Sequence, residues 1–163
     1  MDQVLFAIVL WIHLFFAIIF IGGSFFIWIV VWPSSFDLAE DEKFRTKIVG
    51  TMSKRFALFT NISVGILIVT GLNLAYQMFG TTPDLLSTVG GQILFAKVVV
   101  VAVALCIMYY NNMGHAKKIK LLVEENKMDE VSRLRKRAHL FSFLTLGLLV
   151  IVTILASLLQ VFA

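Results

Sequence analysis

The chain has 163 residues, 60% of them hydrophobic, and a mean hydropathy of +0.93, where an ordinary soluble domain is roughly 45–50% apolar. Only 15% of the residues are charged, and Cys106 is the single cysteine. These figures exclude a disordered tail, a disulfide-stapled secreted scaffold and a nucleic-acid-binding module, and leave an integral membrane protein with one domain over residues 1–163.

The first apolar run, Val4 to Val31, holds no Asp, Glu, Lys or Arg over 28 residues, more than the about 20 that a bilayer-spanning helix needs. Asp2 precedes it where a secretory leader would be basic, and no small-residue cleavage site follows, so it reads as a span. Pro33-Ser34-Ser35 is expected to end this helix. Asp37 and Glu40 have capping-box spacing, and Phe44, Ile48 and Met52 recur at helical intervals, which predicts a short amphipathic helix on the inner membrane surface.

A second uncharged run covers Phe56 to Phe79, and the turn-rich Gly80-Thr81-Thr82-Pro83-Asp84 through Gly90-Gly91 follows it. The third, Ile93 to Tyr110, is interrupted only by Lys97, and the fourth covers Ala138 to Ala163 with His139 at its start. Between them Lys117 to Arg137 holds strong helix formers and neither Pro nor Gly, so spans three and four are expected to continue past the membrane as a helical hairpin. The prediction is an all-α, four-helix transmembrane bundle with spans near 4–31, 56–79, 92–113 and 138–162, joined by cytoplasmic loops 33–55 and 114–137.

Of the 14 basic residues, 13 fall in those two loops and the last is Lys97. The positive-inside rule then places both loops in the cytoplasm and both termini outside, as a multi-pass protein of a prokaryotic-type cell membrane. The isoelectric point near 9.4 follows from this topology, and a nucleic-acid partner need not be invoked. Lipid is the expected surrounding, and a homo-oligomer is compatible with it.

Ionisable groups inside a membrane are expensive and mark candidate sites. With Trp28 and Trp32 in an inner aromatic belt, His13 lies roughly 8 Å and Lys97 roughly 9 Å below the outer surface, at ~1.5 Å per residue. Asn73 falls at a similar depth, Thr70 about a turn deeper, and Ser157 at a comparable level on span four. Thr60, Ser63, Thr70 and Gln77 follow three- and four-residue spacing on span two, a stripe suited to the bundle interior. A polar chamber in the outer leaflet, ringed by His13, Asn73, Lys97 and Ser157, is the expectation. Each member has a structural alternative: His13 bonding a carbonyl of another helix, Lys97 snorkelling to headgroups, and the stripe serving as interhelical glue. His115 and His139 form a second pair near the inner interface, with Met113 as a soft neighbour and interfacial placement as the alternative.

A neutral imidazole suits haem iron or copper. Haem needs axial groups at equal depth and an apolar slot, which Ala17, Gly22, Gly23, Ala96, Ala102 and Ala104 are expected to leave open. Lys97 then serves as second axial ligand or as partner of a haem propionate, with Asn73 and Thr70 beside the cofactor. Copper calls for several His, Met or Cys at one level, and the outer level holds one histidine. Ligand count favours haem b. No carboxylate lies within a span, so neither a carboxylate-driven pump nor hydrolytic chemistry has support.

Trp11-Ile12-His13-Leu14, Ile21-Gly22-Gly23-Ser24-Phe25-Phe26, Val31-Trp32-Pro33, Arg55-Phe56, Thr70-Gly71-Leu72-Asn73-Leu74 and Ile93-Leu94-Phe95-Ala96-Lys97 together resemble the CopD-like membrane family. The resemblance covers the whole chain at the level of four helices. It extends to the HemJ-type protoporphyrinogen oxidases, in which a first-helix His and a third-helix Lys are associated with haem b. His13 and Lys97 are the matching positions, while the Arg that HemJ-type proteins carry late in the first helix has no counterpart from Trp28 to Trp32. The resemblance implies a redox-active haem protein, moving electrons or oxidising a porphyrin-like or quinone-like membrane substrate with a redox partner. Its other implication is copper import of the CopD type, with His13 on the pathway and a partner supplying the metal.

Overall fold

A computed structural model describes residues 3–38, 41–80 and 85–162, apart from the side chains at 42, 85, 116, 117 and 120. Asp2, Glu40, the 81–84 turn and the side chain of Lys117 therefore lie outside the described residues. The described chain is helical throughout: α1 (Gln3–Phe26), a π-helical turn (Ile27–Val31), α2 (Trp32–Leu38), α3 (Glu42–Phe79), a 3-10 turn (Leu85–Ser87), α4 (Val89–Glu124) and α5 (Met128–Phe162). Four of its helical stretches, Gln3–Leu38, Lys43–Phe79, Val89–His115 and Met128–Phe162, are long and apolar enough to cross a membrane. The chain is a multi-pass membrane protein.

Pro33 does not end the first helix, contrary to the reading of Pro33-Ser34-Ser35 as a stop. The chain widens into the π-helical turn just before it, where the Trp32 N–H bonds back to Ile27 O, and then continues as α2. The reason is steric and electronic together. Proline lacks an N–H and crowds the carbonyl four residues back, and one wide turn relieves that crowding while Pro33 takes an early position in the new helix. Ser35 then caps inward: it is fully buried and its Oγ donates to Trp32 O at 2.6 Å.

The separate amphipathic helix expected over Phe44, Ile48 and Met52 is the first part of α3, which runs unbroken into the second span. Its start is set by Asp41, whose Oδ1 accepts from the Lys43 N–H at 3.2 Å. Gly80, at φ +63°, closes α3 in a conformation that side chains resist, with its N–H on Tyr76 O at 2.8 Å. Thr88 caps α4 through Gly91 N–H at 3.1 Å. The α4–α5 hairpin forms as expected, and Asn126 makes the turn at φ +57°. Lys127 N–H reaches Leu122 O at 2.9 Å and Asn126 N–H reaches Val123 O at 3.2 Å, the bonding of a Schellman stop. At the exposed tip Lys127 donates to Glu125 at 2.8 Å, and that hydrogen bond to the carboxylate holds its amine above the usual lysine value.

α1 packs chiefly on α3 and α4 chiefly on α5, while only a few residues join one pair to the other. The bundle is thus two helical hairpins with a crevice between them. Phe20, Val64 and Leu149, from α1, α3 and α5, seal its middle, with Ile21, Leu67, Leu105 and Met108 against them. Trp11, Ile18, Phe59, Val69, Leu72, Phe95, Leu140 and Phe143 point outward. In lipid this costs nothing, because acyl chains are as apolar as these side chains and helices associate through packing and polar contacts. At the end carrying the basic loops, Arg135 is buried, donates to Thr46 and lies 6.0 Å over the Trp32 ring, while Arg45 stacks 4.3 Å over Phe36.

Candidate functional site

His13 sits half-buried on the face of α1 that meets α3. Its Nδ1 lies 2.7 Å from Thr70 Oγ1, and the same oxygen donates to Ile66 O at 2.7 Å. Both contacts are hydrogen bonds at once only when Thr70 donates to Ile66 O and accepts from His13 Nδ1–H. In that arrangement Nδ1 carries the hydrogen and Nε2 keeps a free lone pair. Such an outer partner is how proteins orient a metal-binding imidazole.

The ring fits because residue 71 is glycine. A Cβ there would stand 3.2 Å from His13 Cε1, closer than an ordinary contact. Lys97, half-buried on α4 in the other hairpin, lies within electrostatic range of the imidazole. His13 and Thr70 are therefore in contact, with Lys97 near enough for its charge to act on them.

The other expected members of the chamber stand elsewhere. Asn73 is exposed and pairs with Gln77 on its own helix. Ser157 is exposed and donates to Thr153 O at 3.1 Å. On the α3 stripe Thr60 and Ser63 are buried at 6% and 1% exposure, so this stripe does face the interior.

The slot expected around a flat macrocycle is not formed by the small residues proposed for it. Gly22, Ala96 and Ala102 face outward. Gly23 is occupied by Phe56, whose Cε2 lies 2.2 Å from where a Cβ would be. Ala104, 2% exposed, is inside, and Ala17 is half-buried. The donor chemistry of His13 suits an axial haem ligand, whereas Gly22, Ala96 and Ala102 leave no interior slot for a porphyrin.

His115 and His139 keep separate company. His139 stacks on Trp28 and Trp32, with ring centroids 3.6 and 4.4 Å away. His115 stands 3.2 Å from Asn111 O through Nδ1 and 6.0 Å from the Phe141 ring. Among the described residues no group of three or more His, Cys, Asp or Glu is gathered as a metal cluster.

A cavity of about 160 Å³ occupies the crevice towards the basic end, in contact with all four spanning helices. Phe20, its nearest α1 residue to His13, lies seven positions on, roughly 10 Å at ~1.5 Å per residue. Of its polar lining, Thr60 belongs to the span-two stripe read from sequence, while Asn111 and Asn112, just past the third apolar run, carry no such signal; the packing of α4 on α5 turns Asn111 inward.

No curated protein and no solved structure matches the chain. A family described as CopD, copper resistance protein D, matches residues 50–159, which include Thr70, Gly71 and Lys97, while His13 lies ahead of the matched segment. That match spans well over half of the sequence, and the chain belongs to the CopD family.

Proposed function

We propose that this protein moves copper across the membrane it spans, with His13 Nε2 as the first ligand offered to the metal. Family membership carries this reading, and the His13–Thr70–Ile66 relay supports it by leaving one oriented imidazole nitrogen for a soft or borderline cation. The distribution of basic residues supports both termini on the outer side, so that the His13 end receives the metal and the basic end releases it. One imidazole is a weak, two-way ligand rather than a storage site. That suits passage, in which binding must be strong enough to enter and weak enough to leave.

The test is copper(I) uptake by the purified protein reconstituted in vesicles. Wild type should load the vesicles and His13→Ala should lower the rate at least tenfold. Equal rates for the two would remove His13 from the pathway, and no flux through wild type would remove the transport reading.

A second reading, haem b held by His13, is favoured by one observation: Lys97, from the other hairpin, lies within electrostatic range of His13, where its amine would serve a propionate or the iron. Bound haem would supply one-electron transfer, to a redox partner or a porphyrin-like or quinone-like substrate. The outward-facing Gly22, Ala96 and Ala102 count against it. An absorption spectrum of the purified protein, oxidised and then reduced with dithionite, separates the two readings: a Soret band with reduced α and β bands belongs to haem alone.

A further inference from the structure

The cavity in the crevice lies apart from His13 and has its own chemistry. At about 160 Å³ it has room for several waters or one small solute with part of its hydration shell. Three of its hydroxyls, those of Ser24, Ser142 and Thr145, are already committed as donors. Ser24 Oγ donates to Phe20 O at 2.7 Å, Ser142 Oγ to Ala138 O at 3.0 Å and Thr145 Oγ to Phe141 O at 3.0 Å. With those protons turned to their own helices, the oxygens have only lone pairs left to offer.

Asn111 adds an independent observation. It is 6% exposed and lines the cavity. Its Nδ2 donates to Ala138 O and to Ser142 Oγ, each at 3.0 Å. Since Ala138 O can only accept, the amide cannot be turned round, and the second acceptor is Oδ1. That oxygen is buried without a hydrogen-bond partner among the described residues. A buried acceptor left in this state is costly, and native structures rarely keep one unless something supplies the missing donor or charge.

No charged residue is among those lining the cavity. A lining of neutral oxygens can replace the hydration of a monovalent ion, as carbonyl rings do in selective pores. It gives no carboxylate to offset a divalent one. A soft cuprous ion would find a single thioether, Met108, among hard oxygens. We propose that this chamber binds a small monovalent cation of the alkali-metal or ammonium class, held by Asn111 Oδ1 and the hydroxyl oxygens of Ser24, Ser142 and Thr145. The site is separate from the copper ligand His13, and either can fail without the other.

The experiment is thermal unfolding of the full chain in detergent micelles, in sodium, potassium, ammonium or choline chloride at equal ionic strength, with silver(I) nitrate in a chloride-free series as the soft-ion arm. One small cation should raise the midpoint over choline by about 5 °C at about a hundredfold excess over its Kd, and the gain should saturate. Asn111→Leu and Thr145→Val should each abolish that gain. Should Asn111→Leu fail to fold, Thr145→Val and Ser24→Ala carry the test, and a gain retained in both overturns the proposal. Equal midpoints in all four chlorides would show a chamber holding water alone. Stabilisation by silver(I) and by none of the hard cations would overturn the ligand class.

Discussion

Thr70→Val is the most direct test of how His13 is held. The substitution nearly preserves volume and removes one oxygen, the acceptor 2.7 Å from His13 Nδ1. The Nδ1–H then has no partner on α3, and an unsatisfied donor costs about 1–3 kcal/mol when buried. His13 is half-buried, so the lower part of that range applies. Either the ring stays and bears that cost, or it turns to find another acceptor and carries Nε2 away from its aim. Both outcomes weaken a metal at Nε2, and loss of an outer partner of a liganding histidine typically lowers affinity 10–100-fold. The assay is competition for copper(I) against a calibrated chelator in detergent, with Thr70→Ser as the control that keeps the hydroxyl. Thr70→Ser should bind as wild type does. If Thr70→Val binds within threefold of wild type, the relay does not orient the imidazole, and the argument for Nε2 as the ligand falls with it.

Gly71→Ala should separate binding from stability. The new Cβ stands 3.2 Å from His13 Cε1 and obliges the ring to yield by a few tenths of an ångström, while alanine in a helix interior gains up to about 1 kcal/mol over glycine. Copper(I) affinity should fall several-fold with an unfolding midpoint equal to or above wild type; unchanged affinity would mean the ring has slack there. Gly23→Ala should destabilise by about 1–3 kcal/mol as an overpacked site, because its Cβ would fall 2.2 Å from Phe56 Cε2. Phe56→Leu in the same chain should restore the midpoint in part, and additive losses in the double variant would refute the contact.

The spans were legible because a bilayer imposes a length and a composition that survive any detail of packing. Depth was legible only to about a turn, since ~1.5 Å per residue converts sequence position into height but leaves the starting level of each span open. Direction around the helix was not legible. Thr70 and Asn73 differ by three residues, which turns them about 60° apart, and the contact of His13 with Thr70 and Gly71 lies on the side away from Asn73. The depth count put Asn73 level with His13 and Thr70 about a turn deeper; the packing of α1 on α3 selects Thr70. Pro33 was misread for a related reason: its effect depends on whether the turn before it can widen, and Ile27–Val31 does. The glycines show the same limit. Gly23 and Gly22 are neighbours in sequence, yet one receives the Phe56 ring and the other faces outward.

Lys97 is where the two readings of the His13 site part. It lies within electrostatic range of His13 from the opposite hairpin, and the crevice between the hairpins is sparsely joined. A charged amine near the imidazole repels a cuprous ion held there, and in a medium of low dielectric that repulsion is felt more strongly than in water. In a copper path Lys97 therefore keeps residence at His13 short. Beside haem the same group is favourable: as a cation it attracts a propionate, and as a neutral amine it is a ligand for the iron. Lys97→Leu removes the nitrogen and, unlike methionine, adds no thioether that could itself bind copper(I), so the two readings predict opposite signs from one substitution. Copper(I) affinity in the chelator assay should rise several-fold if His13 serves copper. Haem retention after reconstitution should fall if it serves haem. A Lys97→Leu protein whose copper affinity falls would contradict the transport reading, because loss of a cation cannot weaken a metal site that the cation merely opposed.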